Sequence, residues 1–201
     1  MHSSLEKQNQ WLHYQMNKMK EIRIEKLTLN IGTGGAGERL DKAIKLLKEL
    51  TKKKPIEAKS NKRIPTWSVR PGLTVGTKVT LRGKPAEELL KRLLLAIESN
   101  LSKDCFDHNG SISFGVPEYI DIPGIEYMVE VGIIGLQASV TLERPGFRIK
   151  KRKYLKGKIG LKHKINQKDA IEFMKSKFGV NIKEEKANDN EWLQKEFQSF
   201  K

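Results

Sequence analysis

Cysteine is nearly absent from this chain: Cys105 stands alone among 201 residues. One thiol cannot close an intrachain disulfide or build a zinc site by itself, so the composition points to a reducing, cytoplasmic compartment. Histidine is almost as scarce. His2, His13, His108 and His163 are scattered, and none stands beside carboxylates at ligand spacing, which leaves no platform for a metal. Cys105 and His108 are close in sequence, yet no base, orienting group or oxyanion feature accompanies them. Asp104, Asp107, Glu118 and Asp121 read as ordinary loop acids. No apolar run approaches the ~20 residues that cross a bilayer, and residues 1 to 20 lack the apolar centre of a secretory signal. These absences argue against an enzyme, a cofactor, a metal and a membrane partner.

Negative charge is also in short supply. Lys and Arg total 39 against 24 acidic residues, a formal net charge of +15, and the pI is near 9.8. Such a balance is the electrostatic footprint of a nucleic-acid partner, although charge alone does not choose RNA over DNA. With 37% hydrophobic residues the chain can still bury a core, so it is more than a basic tail. Residues 1 to 21 read as an extension, 22 to 183 as a single domain, and 184 to 201 as a tail of mixed charge.

Glu21 to Ile31 carries Ile22 and Ile24 on one face and continues with Leu27, Leu29 and Ile31 after a phase slip near Lys26, a half-exposed strand with a bulge. Its solvent face shows Arg23, Thr28 and Asn30. Gly32-Thr33-Gly34-Gly35-Ala36-Gly37 follows and satisfies the spacing of a dinucleotide-binding loop, with Glu57 about twenty residues on. A nucleotide-dependent oxidoreductase is therefore one alternative function. Against it, a nucleotide-binding first strand is buried on both faces and runs continuously apolar, whereas this one alternates with Arg23, Glu25 and Lys26.

Glu38 to Lys54 has an inward stripe of Leu40, Ala43, Ile44, Leu47 and Leu50, with acids toward its start and lysines toward its end. Pro55 to Ser60 and Gly76 to Arg82 read as strands, Pro85 to Asn100 as a second helix with Leu89, Leu90, Leu93, Leu94 and Ile97 inward, and Ile112 to Val116 as another strand. The order is β-α-β-β-α-β. It predicts an α+β fold of RRM-like type, an antiparallel sheet with both helices on one face and the other face free. That free face would hold Thr28, Asn30, Lys78, Thr80 and Arg82. Gly132 to Glu143 adds a further strand.

Between the second and third strands lies a long basic loop. Ile64-Pro65 and Arg70-Pro71-Gly72 exclude a helix there, and Lys59, Lys62, Arg63 and Arg70 surround Trp67, a mixture suited to phosphates and stacked bases. A solvated hairpin with a surface tryptophan fits the same residues. Arg144 to Lys168 is the second basic concentration and contains no acid, so it requires something negative to neutralise it. Its Pro145, Gly146, Gly157 and Gly160 suggest an irregular arm. Asn166 then caps a helix from Gln167 to Phe178, which Gly179 ends.

IEKLTLNIGTGGAGERLDKA, KSNKRIPTWSVRPGLTVGTKVTLRG and LERPGFRIKKRK with GLKHKI together resemble the large-subunit ribosomal protein family uL5, called L5 in bacteria and L11 in eukaryotes. The resemblance runs from about Ile22 to Gly179. GTKVTLRG is its most diagnostic piece, and the arm with its helix is similar to the archaeal and eukaryotic branch. It implies a structural protein of the central protuberance that anchors 5S ribosomal RNA to the large subunit alongside uL18. The implied 5S contacts are Asn30, Lys59, Lys78, Thr80 and Arg82. The long loop, with Lys62, Arg63, Trp67, Arg70, Pro71 and Gly72, would face the P-site transfer RNA. Arg144, Arg148, Lys150, Lys151, Arg152, Lys153, Lys162 and Lys164 would add contacts to large-subunit ribosomal RNA, and uS13 would meet the protein in an intersubunit bridge. A nonspecific nucleic-acid-binding protein is the remaining alternative.

Overall fold

The computed structural model describes residues 17–35 and 37–183. The expected tail after Lys183, and the part of the extension before Asn17, lie outside the described residues. The chain runs β1 (Arg23–Gly32), α1 (Glu38–Thr51), β2 (Ile56–Lys59), β3 (Thr74–Leu81), α2 (Lys84–Ala96), β4 (Asn100–Ser102), β5 (Ile112–Val116), β6 (Leu136–Glu143), α3 (Arg148–Lys151), α4 (Gln167–Phe178) and β7 (Asn181–Lys183).

Five strands form one sheet in the order β2-β3-β1-β6-β5, with every neighbouring pair antiparallel. Alternation decides which side is covered. Ile24, Leu27, Leu29 and Ile31 of β1 are buried, and pairing puts Leu27 beside Leu81 and Val140, and Leu29 beside Val79 and Ala138. Paired residues share a face, so these rows form one apolar surface. Onto it α1 packs Leu40, Ala43, Leu46, Leu47 and Leu50, and α2 packs Ala86, Leu89, Leu90, Leu93 and Leu94, in a single core. The expected stripe of α1 included Ile44. The structure leaves Ile44 half-buried and buries Leu46, which turns the inward face around the helix without widening it.

The phase slip expected near Lys26 is a bulge: pairing of β1 with β6 shifts between Ile24 and Lys26. The strand expected from Gly132 starts at Leu136. It, rather than β5, lies beside β1, which makes β5 the sheet edge. The second helix stops at Ala96, short of Asn100, because Asn100 enters β4 and pairs in parallel with β7. A three-residue ribbon of this kind has too little pattern to stand out in a sequence. The cap of α4 forms as expected, with Asn166 and Asp169 making reciprocal side-chain bonds and Gly179 left-handed at φ 65°.

Leu29 and Thr28 are neighbours on opposite faces. Leu29, with no exposed surface, should lose about 2–5 kcal/mol of stability on change to Ala. Thr28→Ala should cost less than about 1 kcal/mol. Urea unfolding of the two variants measures both, and equal losses would contradict this assignment of faces.

Candidate nucleic-acid interface

On the second face of the sheet Lys78, Gln137, Ser139 and Ser113 are exposed, while Lys151 of α3 reaches Glu25 and Glu143 at its Arg23 end. Register lays its side chains out in rows. Lys78, Asn30 and Gln137 stand abreast on β3, β1 and β6, with Ile56 beside Lys78 and Gly115 beside Gln137 at the two edges. Thr80, Thr28, Ser139 and Ser113 make the next row. Arg82 follows Leu81, the partner of Leu27, and is exposed next to the Lys26 end of the face. Neighbouring strands are about 4.8 Å apart, so the three central members of a row span about 10 Å. The Asn30 Nδ2 donates to Gln137 Oε1 at 3.4 Å and the Ser113 and Ser139 hydroxyls share a bond of 3.0 Å. These bonds hold donors and acceptors in a plane without using them up.

Of the residues expected on this face, Asn30, Lys78, Thr80 and Arg82 come together as the alternation required. Lys59 lies at the end of β2, opposite Thr74 and beyond a register shift after Ala58. Gln137, Ser139, Ser113, Thr141 and Lys26 complete the surface and were not singled out from the sequence. Their signal was present, since Gln137, Ser139 and Thr141 alternate with Ala138, Val140 and Leu142.

The glycine loop after β1 packs on β3. The amides of Thr33 and Gly34 both donate to Val75 O, at 3.0 and 3.2 Å, and a side chain at Gly76 would place its Cβ 2.6 Å from Ile31 O. A dinucleotide fold would pair the strand after the helix directly with β1. Here β3 lies between β1 and β2, antiparallel to both. The glycines therefore serve a close backbone crossing, and the oxidoreductase reading fails on topology.

The long loop continues the β2–β3 hairpin. Ser60 accepts from Gly72 and donates to Leu73, and further out Ile64 and Val69 exchange bonds of 2.9 and 3.1 Å. Pro65–Trp67 form a single 3₁₀ turn at the tip, closed by Ser68 at φ 53°. Trp67 is 72% exposed there, with Lys62, Arg63, Arg70, Pro71 and Gly72 also exposed. The loop presents an aromatic and three cations well beyond the sheet.

The basic arm is pinned, which the expectation of an irregular arm did not foresee. Arg144 is turned inward with its side chain 11% exposed, and its Nη2 donates to Asp169 Oδ2 at 3.0 Å. Its Nη1 donates to the carbonyls of His163 and Lys164. Lys151 pairs with Glu25 and Glu143, and the Phe147 ring meets His163 edge-on at 5.7 Å. The negative groups that neutralise the arm thus come from β1, β6 and α4. Arg148, Lys150, Arg152, Lys153, Lys162 and Lys164 stay exposed. Of the expected arm contacts, Arg144 and Lys151 are spent on the fold.

A surface of opposite character lies between β5 and β6. From Pro117 to Glu143 there is no Lys or Arg, while Glu118, Asp121, Glu126 and Glu130 contribute negative charge. Tyr119 is fully buried and its hydroxyl accepts from Met128 N at 3.0 Å, and Arg92 Nε donates to Pro123 O at 2.7 Å. Outside these anchors Tyr127, Val129 and Ile133 are exposed. Lys45 Nζ donates to Glu130 at 2.8 Å; this bond and the opposite charge hold the Glu130 carboxyl below, and the Lys45 amine above, its ordinary range.

Comparison with known proteins follows the same outline. Residues 17–70 match the family model described as Ribosomal protein L5, and residues 74–173 match the one described as ribosomal L5P family C-terminus. The chain is 48% identical over 165 residues to the large ribosomal subunit protein uL5 of Nanoarchaeum equitans, covering 82% of this chain and 97% of that one. It is 45% identical over 170 residues to the uL5 of Sulfurisphaera tokodaii, with 84% and 96% covered. With the uL5 of Methanobrevibacter smithii the identity is 39% over 166 residues, with 83% and 98% covered.

Arg144→Ala should release the arm. Its loss leaves Asp169 without the guanidinium and should lower stability by about 1–3 kcal/mol. Tryptic cleavage between Arg148 and Lys158 should accelerate relative to the parent chain, and an unchanged cleavage rate would mean that other contacts hold the arm.

Proposed function

Since the chain belongs to the ribosomal protein L5 (uL5) family, it is a structural constituent of the large ribosomal subunit that binds ribosomal RNA and is no enzyme, and we propose that its open sheet face anchors 5S ribosomal RNA in the central protuberance. Its place in the cell is the cytoplasmic ribosome.

The observation that carries the proposal is the exposed polar face. A helix-covered sheet whose other side bears amides, hydroxyls, Lys78 and Arg82 gives RNA a flat surface for sugar 2′-hydroxyls and base edges, with cations at its margin for phosphates. Asn30, Thr80, Lys78 and Arg82 would be the principal contacts and Lys59 a marginal one. The exposed arm cations would bind neighbouring large-subunit ribosomal RNA, with Arg144 acting as the brace that aims them.

The tip of the long loop is assigned to the P-site transfer RNA. Support comes from its reach away from the sheet and from Trp67 standing exposed among Lys62, Arg63 and Arg70, an arrangement that can stack on a base while neutralising phosphates. Protein partners would meet the acidic surface between Pro117 and Gly135. Negative charge repels RNA, and exposed Tyr127, Val129 and Ile133 suit a basic protein surface, which fits a bridge to uS13. A neighbouring protein, uL18, would share the 5S RNA.

Filter binding to a 5S transcript, against an unrelated RNA of equal length, tests the central reading. Affinity for 5S should be selective at near-physiological salt and fall about a thousandfold between roughly 50 and 200 mM if about six phosphates are engaged. Lys78→Glu and Arg82→Glu should each weaken it by about tenfold or more, while Trp67→Ala leaves isolated 5S binding nearly intact. Equal affinity for the unrelated RNA, or equally effective competition by duplex DNA, would replace the specific reading with nonspecific binding.

A further inference from the structure

The cavity of about 720 Å³ beneath the basic arm is of the size range that takes a small ligand. Its floor is apolar, made by Phe147, Ile159 and Ile165, and Leu161 stands 80% exposed at its mouth. Lys150, Lys158 and Lys164 form the rim, and none of them makes an ion pair among the described residues.

The far end is closed by the turn before β5. Asp107 is already occupied by its own turn, accepting from His108 N at 2.8 Å and from Asn109 Nδ2 at 3.3 Å. Its carboxylate keeps its negative charge at this end, so phosphate would sit toward the three lysines and away from Asp107. Asn109 and Ser111 are the other polar residues that line this end.

Apolar walls flanked on one side by Lys150, Lys158 and Lys164, with polar residues at the other end, match a planar heterocycle joined to phosphate. We propose that the groove receives one unstacked nucleotide of the bound ribosomal RNA, its base against Phe147 and Leu161 and its phosphates along Lys150, Lys158 and Lys164. This rests on the reading of the chain as a ribosomal RNA-binding protein. It adds to the sheet face a second site, one that recognises a single extruded base, and gives the arm a purpose beyond general charge. Stacking on side chains is how single-stranded RNA is commonly held, and the base has to leave its helix to reach such a floor.

Gly160 allows a direct test. Its φ of −59° suits any residue, and a Cβ there would meet nothing within 4 Å. Gly160→Leu should fill the groove without disturbing the fold, and Gly160→Ala serves as the control for folding. The full-length chain, with its isoleucine methyl groups isotope-labelled, is titrated with adenosine, guanosine, cytidine and uridine monophosphates and separately with inorganic phosphate, and followed by NMR. The Ile159 and Ile165 methyl signals should shift and saturate with at least one nucleotide and not with phosphate. Gly160→Leu should weaken that response by about tenfold or more.

Methyl signals that do not move, that move equally with inorganic phosphate, or that respond unchanged in Gly160→Leu would overturn the inference. The parent chain is assayed in parallel for 5S binding. If it binds 5S selectively while the methyl signals fail to respond, the groove proposal alone falls. If it shows no selectivity, the broader reading falls with it.

Discussion

The alternation of inward and outward side chains along β1, locked in register with β3 and β6, is the constraint on which the rest of this protein depends. Leu27 and Leu29 have no exposed surface and lie beside Leu81, Val79, Val140 and Ala138. A slip of one residue would put all of them in water and turn Thr28 and Asn30 into the core. The same register that buries the leucines therefore composes the polar face. Fold stability and the candidate RNA surface are two consequences of one pairing pattern, which is why neither needs a separate device to orient Lys78, Asn30 and Gln137.

Charge is divided with equal economy. The arm from Arg144 to Lys168 has no acid of its own, and it is held to the body by Glu25, Glu143 and Asp169, which lie on β1, β6 and α4. Only two of its cations are used in this way. The remainder are left for an external polyanion, and the self-repulsion they create is reduced when RNA binds. The segment from Pro117 to Glu143 excludes Lys and Arg altogether. The chain thus carries two surfaces of opposite sign.

Much of this was legible in the sequence where local pattern and tertiary environment agree. The β1 phase slip, the Leu89, Leu90, Leu93 and Leu94 stripe of α2 and the cap at Asn166 follow from spacing and residue type, and the structure has all three, while Ile97, expected in that stripe, lies half-buried just past the helix end. Ile44 was placed inward and Leu46 left out because the stripe in the sequence fixes the width of the apolar face of α1 but not its rotation against the sheet, which only packing decides. β4 and β7 lie about eighty residues apart in sequence and are three residues each, so no local signal could pair them. The same holds for Arg144, whose partner Asp169 is found only by folding. Four of the five expected 5S contacts share one face in the structure; Gln137 and Ser139 escaped because the β6 pattern was read as a strand without asking which side it showed.

RNA lying on the polar face of the sheet requires contacts from Thr28 and Ser139 and none from the outer side of α1. A photo-crosslinking side chain placed in turn at Thr28, at Ser139 and at Lys48 of α1, in chains assembled into large ribosomal subunits, tests it most directly. The account predicts crosslinks to 5S ribosomal RNA from Thr28 and Ser139 and none from Lys48. Crosslinks to 5S from Lys48, with Thr28 and Ser139 silent, would contradict it.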